Sequence, residues 1–108
     1  MEPVNAKVAR GCVVEFDAVM KRAGITTPAK GLTTSVGFNS AELLLWMNKV
    51  APHMHELRVV FGAYTSELAP AKVGRLTVFL WPYNKEGEPA KDDDGEEIDP
   101  VNVGDLLP

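Results

Sequence analysis

Apolar residues recur along this chain with two different periods. From residue 5 to 23 (NAKVARGCVVEFDAVMKRA), Val8, Cys12, Val13, Phe16, Val19, Met20 and Ala23 fall at steps of three and four, with Lys7, Arg10, Asp17 and Lys21 on the other side. That spacing predicts an amphipathic helix. Asn5 is placed to cap it, Lys21 and Arg22 suit the negative end of its dipole, and Gly24 suits its stop. Gly11 costs such a helix roughly 1 kcal/mol relative to alanine, so a strand through CVVEF is the alternative. Residues 24–38 are rich in Gly, Pro and Thr and read as a loop, with a short extended piece over 32–36. A second helix then begins at Asn39, with Glu42 at the capping-box spacing and Phe38 and Leu43 placed as a hydrophobic staple. Leu43, Leu44, Met47 and Val50 form its apolar face, with Trp46 beside it, and Pro52 ends it.

Beyond residue 56 the period becomes two. LRVVFGAYT (57–65) puts Leu57, Val59, Phe61 and Ala63 on one face and Arg58, Val60, Gly62 and Tyr64 on the other. RLTVFLWPYN (75–84) returns with Leu76, Val78 and Leu80 on one face and Thr77, Phe79, Trp81 and Tyr83 on the other. The stretch SELAPAKVG between them is long enough for an antiparallel hairpin but not a tight one. Pro82 cannot donate to a ladder, which places it on an edge or at the end of the pairing. The expected class is α+β: two N-terminal helices packed on a small antiparallel sheet built around a 57–65/75–83 hairpin, followed by an acidic C-terminal tail. Residues 1–108 read as one domain, with 84–100 a polar acidic loop or partly disordered segment.

The helices can cover one face of such a hairpin. The other carries Val60, Tyr64, Phe79, Trp81 and Tyr83, a patch that rarely stays wet on a monomer. Three covers are open: the two helices on opposite sides, the tail folded back, or a second copy of the chain. A two-fold dimer is favoured, because a small domain gains core by pairing and closed dimers are the commonest oligomers. Phe79, Trp81, Tyr83 and Tyr64 would then be the interface anchors. A pocket between helices and sheet, lined by Trp46, Trp81 and Tyr83 with Arg58 or Arg75 as polar handles, is the alternative and would take a small molecule.

Composition narrows the classes. The hydrophobic share of 45% and charged share of 24% are those of an ordinary soluble domain. No apolar run approaches the ~20 residues of a membrane span, and the first residues lack the apolar core of a secretory signal. The single cysteine, Cys12, excludes an intramolecular disulfide and fits the cytoplasm, where it reads as a small apolar residue. Charge is uneven: residues 84–108 hold nine acidic residues and two lysines, and residues 1–83 hold nine basic and six acidic, so −7 and +3 return the chain's −4. The scattered basic residues do not make a phosphate-binding stripe, so no nucleic acid is expected as a partner, although strand aromatics such as Phe79, Trp81 and Tyr83 can stack on bases.

Two clusters carry candidate chemistry. His53, His55 and Glu56 in HMHE could ligate a transition metal, since both histidines share a face of an extended segment. The bland reading is a polar turn between helix and strand. KDDDGEE (91–97) has the carboxylates of a calcium loop but not the alternate spacing, and Asp-Gly is a turn dipeptide. No nucleophile has a placed partner and no Gly-rich loop cradles phosphate, so neither a catalytic residue nor a cofactor is expected.

The helix AELLLWMNKVA, the strands RVVFGAYT and RLTVFLWPYN, and the ending Asn102-x-Gly104-x-Leu106-x-Pro108 together resemble a group of uncharacterised small bacterial α+β proteins. The resemblance covers about the C-terminal two-thirds. It implies a helix, a hairpin and a closing tail packed on the body, and it implies no activity and no catalytic residue.

Overall fold

The computed structural model describes residues 1–24, 35–102 and 105–107. Among them the order is α1 (Ala6–Arg22), β1 (Ser35–Gly37), α2 (Ser40–Val50), β2 (Glu56–Ala63), β3 (Leu76–Tyr83) and β4 (Asp105–Leu107), with one-turn 3-10 segments at Ala51–His53 and Pro70–Lys72. The class is α+β. The loop read over 24–38 lies mostly outside the described residues, as do positions 104 and 108 of the closing motif; of the extended piece over 32–36, Ser35 and Val36 fall in β1.

Both helices start where a side chain satisfies free N–H groups. Asn5 Oδ1 accepts from the Lys7 and Val8 amides at 2.9 and 3.3 Å, and Asn39 Oδ1 accepts from the Glu42 amide at 3.1 Å. On α1 the polar residues bond among themselves: Lys21 Nζ is 3.0 Å from Asp17, and Arg22 Nη2 donates to Glu15 at 3.0 Å. Pro52 closes α2, and the chain leaves through the 3-10 turn into β2.

The hairpin pairs β2 and β3 antiparallel, with Glu56 opposite Tyr83, Val60 opposite Phe79 and Ala63 opposite Leu76. Pro82 is opposite Leu57, inside the ladder. It is tolerated because its carbonyl points outward, accepting from the Ala90 amide at 2.9 Å, so its missing N–H faces away from β2. β1 and β4 form a second, separate antiparallel pair, Val36 opposite Leu106.

Residues 84–102 return along the outer edge of β3. Leu80 and Val101 exchange both backbone bonds at 3.0 and 3.1 Å, and Ile98 N–H donates to Ala90 at 3.0 Å. Two turns of one design make this return. In Asn84-Lys85-Glu86-Gly87-Glu88, Asn84 Oδ1 accepts from the amides of Glu86 and Glu88 at 3.0 and 2.9 Å, and Asn84 N–H donates to the Glu88 carbonyl at 2.8 Å. In Asp92-Asp93-Asp94-Gly95-Glu96, Asp92 Oδ1 accepts from Asp94 and Glu96 at 2.9 and 3.0 Å, and Asp92 N–H donates to Glu96 at 2.8 Å. The fourth residue of each turn stands at positive φ, 81° for Gly87 and 79° for Gly95, which is why each is glycine. The acidic stretch is therefore a backbone-bonded part of the fold.

The core is small. The buried hydrophobic residues among those described are Val50, Tyr64, Leu80 and Ala90, and none belongs to α1. Phe16 and Val19 of α1 are 44% exposed and Val8 and Val13 61%, so α1 does not bury its stripe in the sheet as the periodicity suggests. On α2, Val50 is buried and Leu43, Trp46 and Met47 are half-buried, whereas Leu44 and Leu45 are exposed. No helix among the described residues is long and apolar enough to cross a membrane.

Candidate functional site

The hairpin has an aromatic face and an aliphatic face. On the first, Arg58, Val60 and Gly62 stand opposite Trp81, Phe79 and Thr77, with Tyr83 and Tyr64 at its two ends; on the second, Leu57, Val59, Phe61 and Ala63 stand opposite Pro82, Leu80, Val78 and Leu76. Pattern alone suggests that the aromatic face is the open one. Its side chains largely cover one another. The Phe79 ring lies over Gly62, where a Cβ would come within 3.0 Å of Phe79 Cε2. The Arg58 guanidinium stacks 4.0 Å from the Tyr83 ring centroid and donates to Glu56. That bond to Glu56 outweighs an opposing desolvation and, with the Glu56 charge and the contact to Tyr83, raises the Arg58 pKa, so Arg58 is cationic at every ordinary pH.

Tyr64, Thr77 and Asn102 close the far end of this face. Tyr64 OH donates to Asn102 Oδ1 at 3.0 Å, and Thr77 Oγ1 lies 3.4 Å from both. Thr77 is 1% and Tyr64 7% exposed, so this is a buried polar junction joining β2, β3 and the returning tail. Tyr64 is thus a packing residue here, while Phe79, Trp81 and Tyr83 remain half-buried. Trp81 Nε1, Arg75 Nε and Asn102 Nδ2 are buried without a hydrogen-bond partner among the described residues.

The aliphatic face is more open. Phe61, at its centre, is 84% exposed and Val59 54%. Val59, Phe61, Leu76 and Val78 floor a groove of about 350 Å³ whose walls include Val36, Phe38 and, from α1, Phe16. Phe16 therefore belongs both to the α1 stripe and to the lining of the groove. Alternation along β2 marked the groove residues as one face. Whether α1 covers them depends on long-range packing, on which periodicity is silent.

The other sequence-marked residues disperse. Trp46 lines two clefts beside Val101, one with Phe38 and Leu43 and one with Val50 and Ile98; neither these nor the hairpin groove includes Trp81, Tyr83, Arg58 or Arg75. His53 is half-buried with Nδ1 3.7 Å from Asp93 Oδ1, His55 is exposed and its amide donates to the Tyr83 carbonyl, and the Glu56 carboxylate is taken by Arg58. Among the described residues no three His, Cys, Asp or Glu side chains are grouped to hold a metal ion. Cys12 is free and exposed on the α1 stripe.

Comparison with protein-family models, with curated proteins and with solved structures gave no match.

Proposed function

We propose that this chain is a small non-enzymatic interaction module that docks protein through the apolar surface formed by the α1 stripe and the hairpin groove. The observation that carries this reading is the exposure of Phe61 within a paired strand, beside a helix whose apolar stripe is open at Val8, Val13, Phe16 and Val19. Covering one such side chain is worth about 1.5–3 kcal/mol, so a surface holding Phe61, Val59, Phe16 and Val8 has a strong drive to find a partner. Chemistry by side chains finds little support: among the described residues no three His, Cys, Asp or Glu side chains are grouped, and the Glu56 carboxylate is taken by Arg58.

The test is binding of an environment-sensitive apolar dye together with the association state. The full chain should either bind dye or associate, and Phe61→Glu should abolish whichever occurs. A chain that does neither at any concentration would overturn the proposal. A second reading, an apolar small-ligand protein, is favoured by the groove itself, whose lining offers no charged handle. It predicts that a straight-chain fatty acid raises the melting temperature of wild type and not of Phe61→Glu.

A further inference from the structure

We infer that the cleft between α2 and the returning tail binds a small zwitterion, a free amino acid with an apolar side chain. The cleft shares no lining residue with the hairpin groove, so this site goes beyond the docking surface proposed above.

One wall of the cleft is written in the sequence of α2. Trp46, Lys49, Val50 and His53 stand three, four and seven residues apart. That spacing gathers an aromatic ring, a cation and an imidazole along one side of the helix and the 3-10 turn that follows it. The opposite wall is the tail at Glu97, Ile98, Asp99 and Val101, and the space between is about 440 Å³. Small-molecule sites occupy roughly 300–1,000 Å³. Both walls stand without a ligand. Val50 is buried at the root of the first. The second is held by backbone bonds, with the Ile98 amide donating to Ala90 at 3.0 Å and Val101 bonded both ways to Leu80.

The charges decide what fits. Lys49 lines one wall and Glu97 and Asp99 the other, yet among the described residues none of the three forms an ion pair. The neighbouring carboxylates are engaged elsewhere: Asp92 Oδ1 accepts from the Asp94 and Glu96 amides, and Asp93 is the partner of His53 at 3.7 Å. A purely cationic ligand would share the cleft with Lys49, and a purely anionic one with two carboxylates. A ligand carrying both charges avoids either conflict. Its ammonium group goes to Glu97 and Asp99, and its carboxylate goes to Lys49 beside His53. Its side chain then meets Val50, Ile98 and the half-buried Trp46 ring, a flat apolar wall. Lys49, Glu97 and Asp99 are exposed, so water and salt screen these contacts, and selectivity is the signature to read instead of tight binding.

The experiment is calorimetry and amide NMR on the full chain. The probes are L-phenylalanine and L-leucine, then L-phenylalaninamide, which lacks the carboxylate, and 3-phenylpropionate, which lacks the ammonium group. At least one of the two amino acids should bind, with shifts centred on Trp46, His53 and Ile98. Each single-charge probe should bind at least about ten-fold more weakly, the value of one hydrogen bond to a charged group. Lys49→Met should weaken the amino acid by about the same factor without weakening the amide, and Asp99→Asn should weaken the amino acid without weakening 3-phenylpropionate. Both residues are exposed, and circular dichroism checks that each variant keeps its fold. Failure of both amino acids to bind would overturn the site. The amide binding as tightly as L-phenylalanine, with Lys49→Met silent, would make it a cation site, and equal binding of 3-phenylpropionate would make it an anion site; either overturns the zwitterion. Shifts confined to Val59 and Phe61 would also overturn it, and would place the ligand in the hairpin groove.

Discussion

Replacing Tyr64 with phenylalanine tests the account of how the acidic tail is held. The substitution keeps the ring and removes one oxygen. That oxygen donates to Asn102 Oδ1 at 3.0 Å and lies 3.4 Å from Thr77 Oγ1, and the site is nearly closed to water, with Tyr64 7% and Thr77 1% exposed. The bond to Asn102 is of ordinary length and would contribute about 1 kcal/mol by itself. Burial adds to the loss, because Asn102 Oδ1 keeps only the longer contact from Thr77, at 3.4 Å, and is left under-satisfied. The expected total is about 1–2 kcal/mol, and each kcal/mol lowers the melting temperature of a domain near this size by roughly 4–8 °C. The assay is chemical denaturation at fixed protein concentration, with amide exchange at Val101, whose N–H donates to the Leu80 carbonyl at 3.1 Å. Thr77→Val, which removes only long bonds, should cost less. Tyr64→Phe within about 0.3 kcal/mol of wild type, with Val101 protection unchanged, would refute the junction as the tail's anchor.

Three further substitutions follow from the backbone. Gly11 sits in mid-helix with nothing within 4 Å of an added Cβ, so Gly11→Ala should stabilise by about 0.5–1 kcal/mol, read as a raised melting temperature. Gly95 also has open space but stands at φ 79°, so Gly95→Ala should cost about 1–2 kcal/mol through strain alone, measured by denaturation with the Ile98 amide as local reporter. Gly62→Ala drives a Cβ to 3.0 Å from the Phe79 ring and should cost about 1–3 kcal/mol, with the near-UV aromatic signal changed. Neutral results in the last two would contradict the turn and ring geometry.

Much of the fold was legible because it is local. Asn5 and Asn39 cap their helices, Pro52 stops the second, and the alternation from Leu57 to Ala63 and from Leu76 to Tyr83 states which side chains share a face. The returning tail was legible only in part. Asp94-Gly95 signals one turn, but the recurrence of the same five-residue design at Asn84 and at Asp92 is what turns a run of −7 into paired backbone, and that repeat is visible in the sequence once the side-chain caps are known. The open surface was not legible. Apolar weight pointed to Phe79, Trp81 and Tyr83, whereas Gly62 gives Phe79 a bed, Tyr83 carries Arg58, and Asn102 seals Tyr64. Those contacts join residues distant in the chain, and no period encodes them. By contrast Phe61 is open because α1 leaves it so, a consequence of packing between elements.

The most direct measurement is titration of an environment-sensitive apolar dye into the untagged wild-type chain and into Phe61→Glu, with the mass of each followed by light scattering. The account predicts that wild type binds dye or associates, and that Phe61→Glu, with its circular dichroism unchanged, does neither. A wild type that does neither, or a Phe61→Glu variant that behaves as wild type does, would contradict it.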